Sequence, residues 1–275
     1  MRNNDIPKKA YVMIIGSMKC GTSSLFDYLK DHPNIAPSKE KEPEFFSENQ
    51  GHGTSEKEYT NLYSFDPNKH KYVLEASTGY TKFPMEENVP KNISEYGINP
   101  RFIYVVRNPF DRIVSHFNFK KVDDSWSHSI NAKHLINCSN YHLQLSRFRE
   151  FFPKESFLLL DFDELIKSPE KVLKKVYAFL ELEPSYFPEE YAVKNKTNNI
   201  KWKEKEIKNK YKNVLRFIPG RYKGKVTRKL TMMFPPQKHV LSKSQYDMIY
   251  DELQESMYLL QEDYGVDVVK WGFEK

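Results

Sequence analysis

Short apolar runs rich in β-branched and aromatic residues recur at Tyr11–Ile15, Tyr72–Leu74, Phe102–Val106 and Phe157–Leu160, each bounded by polar or turn-forming residues. Runs this short and this uniformly apolar fit strands buried on both faces, as in parallel sheets covered by helices. Helical segments fall between them, at Thr22–Lys30, Asp111–Phe119 and Tyr141–Phe151. Ser168-Pro-Glu then opens Lys171–Leu180 with a cap and a proline at the first turn. Strands alternating with helices predict an α/β fold in three layers, a central parallel sheet flanked by helices. Gly51–Asn68 and Val122–Lys133 are polar and turn-rich and read as surface loops near the strand ends. Ser242–Tyr264 reads as a closing amphipathic helix. The chain shows no internal repeat.

Composition bounds the picture. At 275 residues, 39% hydrophobic and 15% aromatic, the chain can bury a substantial core, and one domain spanning residues 1–275 is expected. The leader Met1–Lys9 is polar and charged and the first apolar run is short, which predicts a soluble, cytoplasmic protein without signal peptide or membrane partner. Two cysteines, Cys20 and Cys138, are too few for a disulfide framework or a zinc site and suit a reducing compartment. The formal charge of +6 is local in origin, since residues 194–229 hold fourteen Lys and Arg against two acids. That stretch reads either as a solvated pair of loops or as a basic flap over an anionic ligand. Nucleic-acid binding is a rival, but nothing in the chain resembles a nucleic-acid module.

The chemistry is concentrated in Ile14–Phe26, "IIGSMKCGTSSLF". Gly16 and Gly21 stand at the spacing of a Walker A loop, but the lysine that should follow the second glycine sits inside the loop as Lys19, and Thr22 takes its place. A strand, a glycine-bracketed loop and Thr22-Ser-Ser opening a helix aim backbone N–H groups and a helix dipole at an anion, so the loop reads as a phosphate site in a P-loop-like fold. A glycine turn with an incidental lysine is the plain alternative. A second element is Phe102–Phe117, in which a strand ends at Arg107, Asn108-Pro109 turns the chain, and a helix carries Ser115. Arg107 could clamp a second phosphate bidentately while Ser115 donates a hydroxyl. Together the two elements describe a nucleotide with phosphates at both ends.

These motifs resemble those of sulfotransferases that use 3′-phosphoadenosine 5′-phosphosulfate. "GSMKCGTSSL" is similar to that family's 5′-phosphosulfate loop and "VVRNPFDRIVSHF" to its 3′-phosphate motif. "KEPEFFS" (Lys41–Ser47) and "LEASTGY" (Leu74–Tyr80) resemble segments of the glycan O- and N-sulfotransferases. Residues 151–182 and the tail "YGVDVVKW" also resemble family segments, so the likeness spans nearly the whole chain. The resemblance implies that Lys19 neutralises the leaving phosphate oxygen and that the loop from Cys20 and Gly21 through Thr22, Ser23 and Ser24 holds the 5′-phosphate. It implies that Arg107 and Ser115 hold the 3′-phosphate and that no metal takes part. Glu42 maps to the base of the glycan enzymes, with Glu75 a competitor and Phe45 and Phe46 lining the acceptor side. "RYKGK", with Arg221, Lys223, Gly224 and Lys225, is the best match to the family's basic loop over the nucleotide.

Ala76 stands where the glycan enzymes commonly carry a lysine, and no histidine occupies a base motif; His32 and His116 read as structural. The activity implied is sulfuryl transfer to a hydroxyl or amine of a small metabolite or saccharide, as in free-standing bacterial members, with a natural product such as a saxitoxin-type alkaloid as one acceptor class. A P-loop kinase or NTPase, or a non-catalytic nucleotide- or RNA-binding protein, are the alternatives. Oligomeric state is not readable from the chain.

Overall fold

A computed structural model describes residues 6–49, 56–120, 129–130, 132–184, 186–191, 204, 207–234 and 239–274. Five parallel strands, β1 (Tyr11–Gly16), β2 (Ile35–Pro37), β3 (Tyr72–Ala76), β4 (Arg101–Val106) and β5 (Phe157–Asp161), form one sheet in the order β2-β3-β1-β4-β5. Every residue of β1 and β3 is buried, Glu75 of β3 included, as strands covered on both faces must be. Four strands fall where the apolar runs predict them; β2 was not anticipated, because three residues are too few to carry a pattern.

Two cores flank the sheet. Val12, Ile14, Leu74 and Ile103 pack against α1 (Thr22–Leu29), α7 (Phe162–Lys167) and α8 (Pro169–Leu180). Met13, Ile15, Phe102 and Tyr104 face α3 (Val89–Tyr96), α4 (Pro109–Lys120), α5 (Lys133–Asn137), α6 (Tyr141–Arg149) and the long helix Lys243–Tyr264. Each aliphatic side chain sealed this way contributes about 1.5–3 kcal/mol. Lys243–Tyr264 starts at a capping box formed by Ser242 and Gln245, as its apolar spacing predicts.

The loop expected over Gly51–Asn68 contains a short helix, α2 (Glu56–Asn61), whose Tyr59 is wholly buried. Of the loop expected over Val122–Lys133, residues 122–128 and 131 lie outside the described residues. The basic stretch is not a pair of loops where it is described: Lys212–Leu215 and Gly220–Met233 are helical, and 194–203 lie outside the described residues.

β1 ends on Gly16, with φ +151, where a Cβ would come within 2.2 Å of the Thr81 hydroxyl and 2.8 Å of the Tyr104 ring. Gly16→Ala is therefore expected to destabilise the fold by about 1–3 kcal/mol, the usual cost of overpacking a filled site. Urea denaturation giving an unchanged midpoint would contradict this packing.

Candidate active site

The site gathers at the carboxyl ends of β1, β3 and β4, where ligands bind in open parallel sheets. Beyond Gly16 the chain folds back on itself. Ser17 N–H donates to Val105 O at 3.0 Å, and Cys20 N–H donates to Ser17 O at 3.1 Å. Lys19 adopts the left-handed backbone region at φ 72, and Gly21, at φ 79, caps α1. The first bonds of α1 run from Ser24 and Leu25 N–H to Gly21 O, so the amides of Thr22 and Ser23 lie ahead of the helix's own hydrogen bonding.

Two residues expected on the ligand turn inward. Cys20 is sealed in the core beneath the loop, and burial pushes its thiol up to about 11, which keeps it neutral. Its N–H is spent on Ser17, so its part is to fix the loop. Ser24 is wholly buried and hydrogen-bonds Tyr28. Ser24 shares the buried face of α1 with Leu25 and Tyr28, whereas Cys20 is turned inward by the loop's own backbone bond to Ser17.

Three cations surround the loop. Arg107, just past β4, donates from Nη1 to Lys19 O at 3.2 Å and lies over the Phe162 ring at 4.5 Å. Arg112, on α4, is 0% exposed. Its guanidinium donates to Ser139 Oγ and Leu135 O, reaches Met18 O at 3.4 Å, and meets His116 Nδ1 at 3.2 Å. Lys19 Nζ stands 4.3 Å from the centroid of the Phe119 ring. Burial, then the Arg107 charge, hold the Lys19 ammonium below the usual lysine range. Burial and the Arg112 charge keep His116 well below its ordinary value, hence neutral. Among the described residues no carboxylate lies within ion-pair reach of Lys19 or Arg112. Ser115 is buried on α4, one turn beyond Arg112.

The sequence reading omitted Arg112. Its signal was present in the helical register, because an arginine three residues before Ser115 shares that residue's face.

On the β3 side stand carboxylates. Glu42, with φ 60, donates its N–H to Ala76 O at 2.8 Å. Its Oε2 accepts from Thr78 N–H at 2.7 Å and from Thr78 Oγ1 at 3.0 Å, while Lys41 pairs with Oε1. Burial opposes its charge, but Lys41 and these donors outweigh burial and hold its pKa below the usual carboxylate value. Glu44, also unanticipated, lies beside it and is pushed up to about 7, chiefly by burial.

Glu75, expected as a competitor at the acceptor, is placed elsewhere. It is 1% exposed and accepts hydrogen bonds from Tyr59, Tyr63, Tyr80 and Ser77, an internal network closed to any acceptor. Phe45 is half-buried and stacks on Tyr59 at 4.3 Å, whereas Phe46 is core, packed against Tyr59, Tyr80 and Tyr96. Arg221, Lys223, Gly224 and Lys225 are exposed on the helix Gly220–Met233 rather than folded as a loop. Pro219 caps that helix, and its inward face is carried by Thr227 and Thr231. Among the described residues, no cluster of three or more His, Cys, Asp or Glu could hold a metal, and no helix is long and apolar enough to cross a membrane.

The arrangement makes a test without any nucleotide. Because folding depresses the Lys19 pKa, the charged amine opposes folding at neutral pH, and that cost is relieved as pH rises through the folded-state value. Ligand-free Lys19→Met should therefore melt at or above the wild-type temperature. Sulfate and phosphate should stabilise the wild type more than the variant, through binding to the native state alone. Equal stabilisation of both by either anion, read by differential scanning calorimetry, would remove Lys19 from the anion site.

The sulfotransferase domain family matches residues 9–259. Heparan sulfate glucosamine 3-O-sulfotransferase 5 of Homo sapiens is 28% identical over 189 residues, 62% of this chain and 53% of that protein. Bifunctional heparan sulfate N-deacetylase/N-sulfotransferase 4 of Mus musculus is 24% identical over 199 residues, 63% of this chain and 22% of that protein. The chain thus matches about half the length of the first relative and about a fifth of the second. A sulfotransferase from Alicyclobacillus acidocaldarius shares the fold, with a TM-score of 0.57 at 20% identity over 84% of this chain and 98% of that one. With a glycine-bracketed loop, an arginine-bearing second motif and a five-stranded parallel sheet already in place, the match over 9–259 decides the matter: this chain belongs to the sulfotransferase family.

Proposed function

We propose that this protein transfers a sulfuryl group from 3′-phosphoadenosine 5′-phosphosulfate to an acceptor hydroxyl or amine on a small metabolite or saccharide. The observation that carries the reading is the convergence of Lys19, Arg107 and Arg112 on the loop that leads into α1: among the described residues neither Lys19 nor Arg112 has a carboxylate within ion-pair reach, and Arg107 has only the exposed Asp111, at 3.8 Å. Such a site is electrostatically incomplete until an anion enters it. The first relative's name specifies the 3-O position of glucosamine, which supports a saccharide hydroxyl within this class.

In this reading the amides of Thr22 and Ser23 and the Thr22 hydroxyl grip the 5′-phosphate, and the Lys19 ammonium faces the oxygen that bridges phosphorus and sulfur. As that S–O bond breaks, negative charge grows on the bridging oxygen, and Lys19 stabilises it where it develops. Arg107 and Ser115 hold the 3′-phosphate at the end of β4. Glu42, kept ionised by Lys41 and the Thr78 donors, takes the proton of the attacking hydroxyl as the new O–S bond forms. Positioning and charge supply the catalysis, as in phosphoryl transfer.

Mass spectrometry, calorimetry and kinetics test this. Incubation with the donor and a panel of saccharides and polar metabolites should yield acceptors heavier by one SO₃ in mass spectra. Calorimetry should show 3′,5′-diphosphoadenosine binding more tightly than AMP, with Arg107→Ala narrowing the gap by about 1.5–3 kcal/mol, the worth of a charge-assisted hydrogen bond. Lys19→Ala should lower kcat by about 10²-fold or more with a smaller effect on diphosphoadenosine binding. Glu42→Gln should spare donor binding and lower kcat by about 10²–10⁴. Wild-type activity should be lost as pH falls through the Glu42 pKa, below the ordinary carboxylate range, because only the carboxylate accepts a proton. Equal affinity for the two nucleotides, or a fully active Lys19→Ala, would overturn the assignment.

A further inference from the structure

Glu42 and Glu44 lie on one short turn with Pro43 between them, and both adopt left-handed backbone conformations, at φ 60 and φ 51. Left-handed geometry at two non-glycine residues is costly and persists only where the surroundings impose it. Here two consecutive amides impose it: Thr78 N–H donates to Glu42 Oε2 at 2.7 Å, and Gly79 N–H donates to Glu44 Oε1 at 2.8 Å. Bound to adjacent amides of one segment, the two carboxyls are held side by side.

Their surroundings differ. Glu42 has a cation, Lys41. Glu44 is 4% exposed and receives only neutral donors, Gly79 N–H and Ser47 Oγ at 2.7 Å; among the described residues no Lys or Arg is within ion-pair reach of it. The other titratable groups facing it are Tyr80 and, behind Ser77, Glu75. Ser77 connects them, because its hydroxyl donates to Glu75 Oε1 at 2.9 Å and accepts Glu44 N–H at 3.2 Å. The fit is close enough that a Cβ on residue 79 would lie 2.2 Å from Glu44 Oε2, so this position excludes every side chain.

Two neighbouring carboxyls at a buried site oppose each other's ionisation, and the more buried partner, which lacks a cation, is the one that stays protonated. We infer that Glu44 is a positioning residue for Glu42: the pair shares one proton, which Glu44 holds and donates to Glu42, leaving Glu42 ionised and aimed at the acceptor. This rests on the reading of Glu42 as the base. When Glu42 takes the acceptor's proton, the pair holds two protons, and one leaves to solvent before the next turnover. Burial, the largest cause, and the Glu42 charge both raise the Glu44 pKa, consistent with its holding the proton near neutrality.

Ligand-free protein labelled with ¹³C at the glutamate carboxyls tests the sharing directly. One carboxyl should titrate near 7, be missing from Glu44→Gln, and move down in Glu42→Gln, where the neighbouring charge is gone. Persistence of that titration in Glu44→Gln, or no carboxyl titrating above the ordinary range, overturns the inference.

Kinetics tests the positioning. Wild-type kcat should decline above about pH 7 as Glu44 loses its proton. Glu44→Gln keeps an N–H donor and should keep wild-type kcat without that decline. Glu44→Ala should lose about 10²-fold in kcat with an unchanged donor KM, the usual cost of a misplaced catalytic group. A Glu44→Ala enzyme with wild-type kcat refutes the role. If Glu42→Gln is inactive while the neutral titration persists in Glu44→Gln, only the proton sharing fails. If Glu42→Gln is fully active, the base assignment itself fails and takes the positioning role with it.

Discussion

The constraint on which the site depends is positive charge buried without a counter-ion among the described residues. A guanidinium at 0% exposure is tolerable only if its donors are satisfied, and Arg112 satisfies them with neutral groups drawn from three places: the loop after β1, its own helix, and the segment Leu135–Ser139. That segment does more than receive the arginine. Cys138 O accepts the Ser17 hydroxyl at 3.1 Å, and Tyr141, just beyond, donates from its hydroxyl to Arg107 O at 2.7 Å. One short stretch between α4 and α6 thereby fixes the loop, the buried arginine and the end of β4 together. Replacing Arg112 with an apolar residue would leave these acceptors unpaired, so the charge and the loop's shape are a single requirement. If the proposed function holds, this is a place where stability is traded for an anion site, as is common in binding sites.

Much of this was legible in the chain because its signals are local. The strand runs at Tyr11, Tyr72, Phe102 and Phe157, the loop glycines and Lys19 are contiguous patterns whose meaning does not depend on distant partners. What escaped depends on contacts across the sequence. Arg112 reads as an ordinary helix charge until Ser139 and Leu135 are seen against it. Glu75 and Glu42 look alike in sequence, yet one lies within β3 beneath three tyrosines and the other on a turn past β2, and only the tertiary fold separates them. "RYKGK" carries a glycine that suggests a loop, but the helical register downstream of Pro219 outweighs that weak local preference. Glu44 was passed over because nothing in "KEPEFFS" says which glutamate turns inward; Gly79 N–H and Ser77 decide it.

The two halves of the site are kept apart by the strand order. β1 lies between β3 and β4, so cations attached to β1 and β4 gather on one side and carboxyls attached to the end of β3 on the other. On the cationic side Asp111 reaches only the outer face of Arg107, at 3.8 Å, and a carboxylate against Lys19 or Arg112 would cancel the charge that the proposed function assigns to a phosphate. A second full negative charge beside Glu42 would do comparable harm from the opposite side, because two unit charges about 4 Å apart oppose each other by roughly 4 kcal/mol at the effective dielectric of a protein surface. Holding a proton on Glu44 avoids this. The acidic half then carries one negative charge, matched by Lys41, and a transferring sulfuryl group meets a single paired carboxylate rather than two. Environments that drive adjacent carboxyl pKa values apart are how one site keeps one group ionised and its neighbour protonated at the same pH. In this fold that division follows from where one lysine and one glycine stand.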